Sequence, residues 1–406
     1  MSEIDLPSLT SRRRFLQGAA VLAAGQGMMR SAWARTENAM RAYVGTYSGA
    51  VGNLGNGEGI YLFEMDRQTG ALAQRRLVAK SANPSWIVIH PSRRYLYAVN
   101  EVDSYQGKSG SVSAFAIDEA TGDLNPLNVV SSEGAGPAYI SLDAAGKFAF
   151  VANYGGGTLA VLSIQADGSL GSAVDVRHDQ GSVGAQRATD APRGSFAMSG
   201  HDAPHVHIAL ADPQNRFVLA TDLGQDRIYV YRFDSQTGKL GDDPVIATLP
   251  SGDGPRHLAF HPNGRWLYSI QEEASTVVQF DFDVQRGALA AKQTVSALPP
   301  GFSGTSFASE ILIGHEGRFL YAANRLANTI AVFAIGAEGR LERVGDTPVM
   351  GDYPSQCRID PSGHFLFACN RRSDNITSFR IDHKTGTLNF IGYTGVGSPG
   401  SITFVG

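Results

Sequence analysis

A short apolar motif returns six times along the chain, at intervals of about 46–53 residues and about 69 across one insertion. The first three copies read Pro84-Ser-Trp-Ile-Val-Ile-His-Pro then Tyr95-Leu-Tyr, Pro137-Ala-Tyr-Ile-Ser-Leu-Asp then Phe148-Ala-Phe, and His205-Val-His-Ile-Ala-Leu-Ala-Asp-Pro then Phe217-Val-Leu. The last three read Pro255-Arg-His-Leu-Ala-Phe-His-Pro then Trp266-Leu-Tyr, Ser309-Glu-Ile-Leu-Ile then Phe319-Leu-Tyr, and Pro354-Ser-Gln-Cys-Arg-Ile-Asp then Phe365-Leu-Phe. A repeat of this length is one sheet that cannot bury its apolar face alone, so copies must stack, and closing the stack into a ring removes the sheet edges.

Each copy shares one grammar. A strand is followed by a tight turn such as Pro262-Asn-Gly-Arg or Pro361-Ser-Gly-His, where Pro and Gly set the turn dihedrals. An aromatic and β-branched strand follows, then an alternating one such as Ile228-Tyr-Val-Tyr-Arg-Phe-Asp. A Thr-Gly-x-Leu turn, as at Thr121-Gly-Asp-Leu or Thr385-Gly-Thr-Leu, leads into an outer strand. The N-terminal strands around Ala42–Met65 lack a preceding inner strand, and the C-terminal Pro399-Gly-Ser-Ile-Thr-Phe-Val can supply it. The expected fold is therefore all-β: a seven-bladed propeller of four-stranded antiparallel blades, closed by the C-terminal strand joining the N-terminal blade. The insertion from His178 to Pro204 is expected to be a loop on the face where the inner strands begin.

The 47 glycines suit such a turn-rich fold. A net charge of −4 without a lysine-rich run argues against a nucleic-acid partner. Ser11-Arg12-Arg13-Arg14-Phe15-Leu16-Gln17 has the form of a twin-arginine export signal, followed by a weakly apolar Gly18–Gly25 stretch and Ala32-Trp33-Ala34. Residues 1–34 are read as a signal peptide handled by the twin-arginine translocase and cleaved after Ala34, 35–41 as a linker and 42–406 as the propeller, with a periplasmic destination. The apolar stretch is too short to span a bilayer, so no stable membrane insertion is expected. Cys357 and Cys369 fall on the two strands of one hairpin. They are either a cross-strand disulfide of an oxidising compartment or two buried thiols.

Register identifies the residues that meet at the axis. At the start of the innermost strand they are Ser85, Ala138, His207, Arg256, Ser309, Ser355 and Gly400; directly after the second strand they are Tyr47, Glu101, Tyr154, Leu223, Glu272, Arg325 and Arg371. The start of one strand and the end of its neighbour share a face. One channel mouth should therefore hold His207, Arg256, Glu272 and Arg325, with Glu101, Tyr154 and Arg371 around them. Histidine is the natural base near neutral pH, and arginine can grip a carboxylate or phosphate or stabilise an oxyanion. Glu272 could orient an arginine, handle a proton or simply pair with Arg256 or Arg325. No Gly-x-Ser-x-Gly elbow is present, so base-assisted attack of water on an activated ester, or its reverse, fits better than an acyl-enzyme. His257, one residue past Arg256, should alternate away from the channel, while His90 and His261 are turn residues. His205 and His207, with His178 and His201 nearby, could gather a metal, but no matching acid or cysteine set accompanies them. Neither a metal nor an organic cofactor is expected.

These motifs carry a resemblance. Pro204-His-Val-His, Asp222-Leu-Gly-Gln-Asp-Arg-Ile, Gly254-Pro-Arg-His-Leu-Ala-Phe-His-Pro-Asn-Gly and Leu320-Tyr-Ala-Ala-Asn-Arg resemble the seven-bladed propeller lactonase family. That family includes propeller-type 6-phosphogluconolactonases and carboxymuconate-lactonising enzymes. The resemblance implies a catalytic set of His207, Arg256, Glu272 and Arg325, and a small-molecule lactone as partner. The chain departs from the family pattern at Gln271-Glu272, where Asn-Glu is usual, and at Pro354-Ser-Gln-Cys-Arg358, where many relatives place an arginine soon after the proline. Phosphogluconolactone is a cytoplasmic intermediate, so an exported member is expected to open an unphosphorylated sugar lactone. Alternative readings are a muconate-type lactonising isomerase and a non-catalytic periplasmic propeller that binds a ligand or protein. The sequence leaves the oligomeric state open.

Overall fold

The computed structural model describes residues 39–49, 55–107, 109–178, 181–198, 200–314 and 316–405. Within them, 28 strands form seven four-stranded antiparallel sheets, with one short 3₁₀ turn at Ala337–Gly339. From the axis outward, blade 1 runs Pro399–Val405, Ala39–Thr46, Gly59–Asp66 and Leu72–Lys80, so the last strand of the chain is the inner strand of the first blade. The other inner strands are Trp86–Ile89, Pro137–Leu142, Val206–Ala211, Pro255–Phe260, Phe307–Ile313 and Pro354–Ile359, for blades 2 to 7 in order. The twin-arginine segment and the cleavage site expected after Ala34 lie outside the described residues. No helix of the described residues is long and apolar enough to cross a membrane.

The aromatic strand of each repeat is the second strand of its blade and lies in the core. Phe148–Asn153, Phe217–Asp222 and Phe365–Asn370 are buried along their whole length. Side chains on both faces of that strand pack against the neighbouring blades. The core accordingly divides into seven buried clusters, one at each junction between blades, including the junction of blade 7 with blade 1. The third residue of the Tyr-Leu-Tyr motif staples one blade to the next. The hydroxyls of Tyr43, Tyr97, Tyr268 and Tyr321 donate to the carbonyls of Gly122, Gly168, Gly339 and Gly386, at 2.7–3.0 Å. Those glycines adopt φ of +76 to +85°, which an L side chain adopts only under strain. His90 and His261 are turn residues as expected; each Nε2 reaches the carbonyl of a turn in the next blade, Gly146 and Gly317.

Cys357 and Cys369 are buried and unpaired. Cys357 stands opposite Ala368 and Cys369 opposite Gln356, one position out of register, so the two thiols leave opposite faces of the sheet. Cys357 packs into the junction of blades 6 and 7, and Cys369 into that of blades 7 and 1. Of the two sequence-based readings, the buried thiols hold.

Candidate active site

In six of the seven blades the pairing of inner and second strands skips near the inner strand's start: at Gly400, Ala138, His207, Arg256, Ser355 and between Ala308 and Ile311. Such a bulge leaves one residue outside the ladder and re-aims its side chain. Small residues in this column serve the ring itself. The hydroxyl of Ser309 donates to the Pro354 carbonyl at 2.7 Å, and that of Ser355 to the Pro399 carbonyl at 3.3 Å, each stitching its strand to the next blade. His207 and Arg256 carry long side chains at the same position.

The mouth assembles as the register predicts. Arg256 Nε lies 2.8 Å from Glu272 Oε2, and Arg325 Nη2 lies 2.6 Å from the same oxygen. One carboxylate thus ties two guanidiniums from adjacent blades. Arg256 Nη1 also donates to the Ser309 carbonyl. Arg325 donates to the carbonyls of Phe307 and Ala308, both at 3.2 Å, and its Nη1 donates to the Tyr353 hydroxyl at 3.4 Å. His207, Arg256, Glu272 and Arg325 each keep only 7–8 % of their surface exposed, enough to touch a ligand in the channel but too little for free hydration. Burial, then the charges of Arg256 and Arg325 with His257 beside it, hold the His207 imidazole well below its ordinary pKa. It is therefore neutral at neutral pH, and its Nδ1 is buried without a hydrogen-bond partner.

The surrounding residues also take the expected positions. The Tyr154 ring stands edge-on to His207 at 5.5 Å and stacks on His205 at 4.2 Å. On the other side, the Tyr47 hydroxyl donates to Glu101 Oε2 at 3.0 Å, and the Arg371 guanidinium covers the Tyr47 ring at 3.7 Å. Burial raises the Glu101 carboxyl above its usual range. Beside Arg371 opens a cavity of about 440 Å³, lined by Asn56, Tyr353, Arg371, Arg372, Asp374 and Ser398. Tyr353 is held at φ +64° with its ring between Arg325 and Arg372, a placement that repeat register alone does not signal.

The insertion lies on this face, as expected. Its residue 185 amide donates to Ser251 Oγ at 2.8 Å, and Gly194 and Phe196 pair with Gly304, so it docks on the loops that lead into the inner strands of blades 5 and 6. The histidines near it do not converge. His201 Nε2 lies 3.0 Å from Asp226 Oδ1, while His205 reaches the Tyr154 carbonyl through Nδ1 and Asp202 through Nε2. Each is occupied by a separate partner.

One expectation fails. His257 does not alternate away from the channel. It is fully buried, with its ring 5.2 Å from Trp86 of blade 2, 5.3 Å from Tyr139 of blade 3 and 5.0 Å from His207. Reaching blades 2 and 3 from blade 5 means crossing the axis. The bulge at Arg256 breaks the two-residue alternation, so consecutive residues both turn inward. A second column, one residue past the first, thus fills the channel beneath the mouth: Trp86, Tyr139, His257 and Glu310 among its members. Reading the repeats one position later would have found it.

The comparisons with known proteins agree with this architecture. Residues 41–404 match the family model described as lactonase, 7-bladed beta-propeller. A 6-phosphogluconolactonase of Bacillus subtilis is 33% identical over 350 residues, covering 86% of this chain and 93% of the relative. The crystal structure of a putative 6-phosphogluconolactonase from Bacteroides fragilis superposes with a TM-score of 0.79 at 32% identity, covering 91% of this chain and 99% of that one. The structure of a Pseudomonas aeruginosa periplasmic gluconolactonase superposes with a TM-score of 0.80 at 31% identity, with coverage of 91% and 99%. With a family match along nearly the whole propeller, and relatives above 30% identity over most of their length, the chain belongs to the seven-bladed β-propeller lactonase family.

Proposed function

We propose that the chain is a lactone hydrolase of the 6-phosphogluconolactonase type that opens a sugar-derived lactone at the channel mouth. The observation that carries this reading is a neutral histidine beside two arginines held on one carboxylate oxygen. Water attacks the lactone carbonyl while His207 takes its proton. Arg256 and Arg325 stabilise the oxyanion or hold an anionic group of the substrate. Collapse breaks the ring C–O bond, and His207 returns the proton to the departing alkoxide, giving the hydroxy acid. Glu272, engaged by both arginines, orients them. Glu101, Tyr154 and Arg371 contact the sugar hydroxyls from the rim.

The substrate is an unphosphorylated lactone met in the periplasm. Two observations support this: the Ser11-Arg12-Arg13-Arg14-Phe15-Leu16 motif followed by the small residues of Ala32-Trp33-Ala34, and the similarity to a protein described as a periplasmic gluconolactonase. The test is acid release by residues 35–406 on gluconolactone, its 6-phosphate and other sugar lactones, beside His207→Ala and Arg256→Ala. Turnover of the unphosphorylated lactone that both variants lose supports the reading. No lactone opened above spontaneous hydrolysis would shift the assignment to a lactonising isomerase or a binding propeller.

A further inference from the structure

Beneath the mouth lies a pair of titratable side chains with no role in the steps above. His257 Nδ1 is 2.9 Å from Glu310 Oε1, joining blades 5 and 6 across the channel floor. A carboxyl oxygen held against a ring nitrogen in this way fixes the orientation of the imidazole. Yet His257 is fully buried, closed in by Trp86, Tyr139 and His207, and cannot touch a substrate. Its other contacts show what it does touch. Arg256 Nη1 lies 3.2 Å from Nε2 and 3.4 Å from Nδ1. The guanidinium thus rests against the His257 ring, within reach of both ring nitrogens. The same ring stands at 74° to the His207 ring, 5.0 Å away.

Resting on the reading of His207 and Arg256 as the reacting set, we infer that His257 and Glu310 are positioning residues for lactone opening. Glu310 fixes the His257 ring, and that ring sets where the Arg256 guanidinium and the His207 imidazole stand. Glu310 also governs the charge beneath Arg256. Burial pushes its carboxyl up to about 8, against the lowering effects of Arg256, the Ile311 amide and Arg358. The other titratable groups facing it are His257 and Tyr139, with Cys357 and Cys369 from blade 7. Burial, then Arg256 and Arg325, hold His257 well below its ordinary range, so it stays neutral. Below the Glu310 pKa the channel floor is uncharged and takes nothing from the attraction of Arg256 for a developing oxyanion. Above it, a carboxylate forms beneath Arg256 and competes for that charge.

The experiment compares the pH dependence of kcat and KM, after subtraction of spontaneous hydrolysis, for wild type, Glu310→Gln and Glu310→Asp on the best lactone of the panel. The wild-type kcat is expected to fall through about pH 8 as Glu310 ionises. In Glu310→Gln, which is always neutral, this limb should vanish while kcat near neutrality drops roughly tenfold from loosened positioning; Glu310→Asp should restore the limb. A Glu310→Gln enzyme with wild-type kcat and an unchanged alkaline limb would overturn the inference. Should Glu310→Gln fail to fold, Glu310→Asp decides: drawing the carboxyl back by one methylene should lower kcat with KM little changed, and a folded Glu310→Asp enzyme with wild-type kcat and pH profile overturns the inference. His207→Ala and Arg256→Ala run alongside separate the two readings: if they keep turnover, the site itself is misassigned; if they lose it while Glu310→Gln behaves as wild type, only the positioning role fails.

Discussion

Glu272 holds Arg256 and Arg325 through one oxygen, at 2.8 and 2.6 Å, and that geometry fixes what all three can do. A carboxylate so engaged anchors both guanidiniums. Replacing it by glutamine leaves two buried cations without a counter-charge, and breaking such a pair costs about 3–5 kcal/mol. Glu272→Gln should therefore lower the denaturation midpoint as well as the activity; unchanged stability would show that the pair is not held as described. For His207, the imidazolium is disfavoured by burial and by Arg256, His257 and Arg325, so the basic form persists below its ordinary value of 6.5. The expected kcat/KM profile stays level as pH falls through 6.5 and drops only in more acid solution. An acid limb at or above 6.5 would contradict the described environment. Both residues were legible in the sequence because repeats put equivalent positions at one axis. His257 was not, because the assumed alternation ignores the bulge at Arg256. Glu310 shares its column and was missed for the same reason.

At the scale of the element, the blade is tied to its neighbour by a tyrosine and a left-handed glycine. Tyr321 donates to the Gly386 carbonyl at 3.0 Å; Gly386 has φ +76°, and a Cβ there would stand 2.3 Å from Phe319 Cδ1. Gly386→Ala should cost about 1–2 kcal/mol from the left-handed backbone alone, with the aromatic clash added. Tyr321→Phe should cost about 1 kcal/mol for the lost hydrogen bond. Urea unfolding of both variants reads these differences directly. The Thr-Gly-x-Leu signal announced the turn, while the partner of its carbonyl depends on how blades stack and has no local signature. The cysteines behave similarly. Sequence placed them on one hairpin, but only the register, Cys357 against Ala368 and Cys369 against Gln356, separates their faces. Neither thiol should react with an alkylating reagent until denaturant is added, and oxidation should not change the melting temperature. Rapid alkylation of the native protein would refute their burial.

For the whole molecule, the inner strand of blade 1 comes from Pro399–Val405 and its other three strands from the opposite end of the chain. Ile402 lies in the core cluster that joins blade 7 to blade 1, and Phe404 packs against it. A chain ending at Ser398 loses that strand, exposes the edge of Ala39–Thr46 and opens the ring. Size-exclusion chromatography should find it aggregated or absent from the soluble fraction; a monomer with the wild-type melting temperature would deny the closure its role. The closure was legible because the N-terminal strands lacked an inner partner and the C-terminus supplied one. What remained hidden was the floor of the channel, where side chains from blades 2, 3, 5 and 6 meet. Those contacts join His257 to residues in three other repeats and follow from ring geometry, not from any single repeat.

The most direct test of the central claim is turnover of an unphosphorylated sugar lactone in ¹⁸O-labelled water, followed by mass analysis of the acid formed. Water attack at the carbonyl predicts one labelled oxygen in the new carboxylate, released well above the spontaneous rate, and loss of this excess by about 10²–10⁴-fold in His207→Ala. Labelled acid formed no faster than in protein-free buffer, or formed equally fast by His207→Ala, would contradict it.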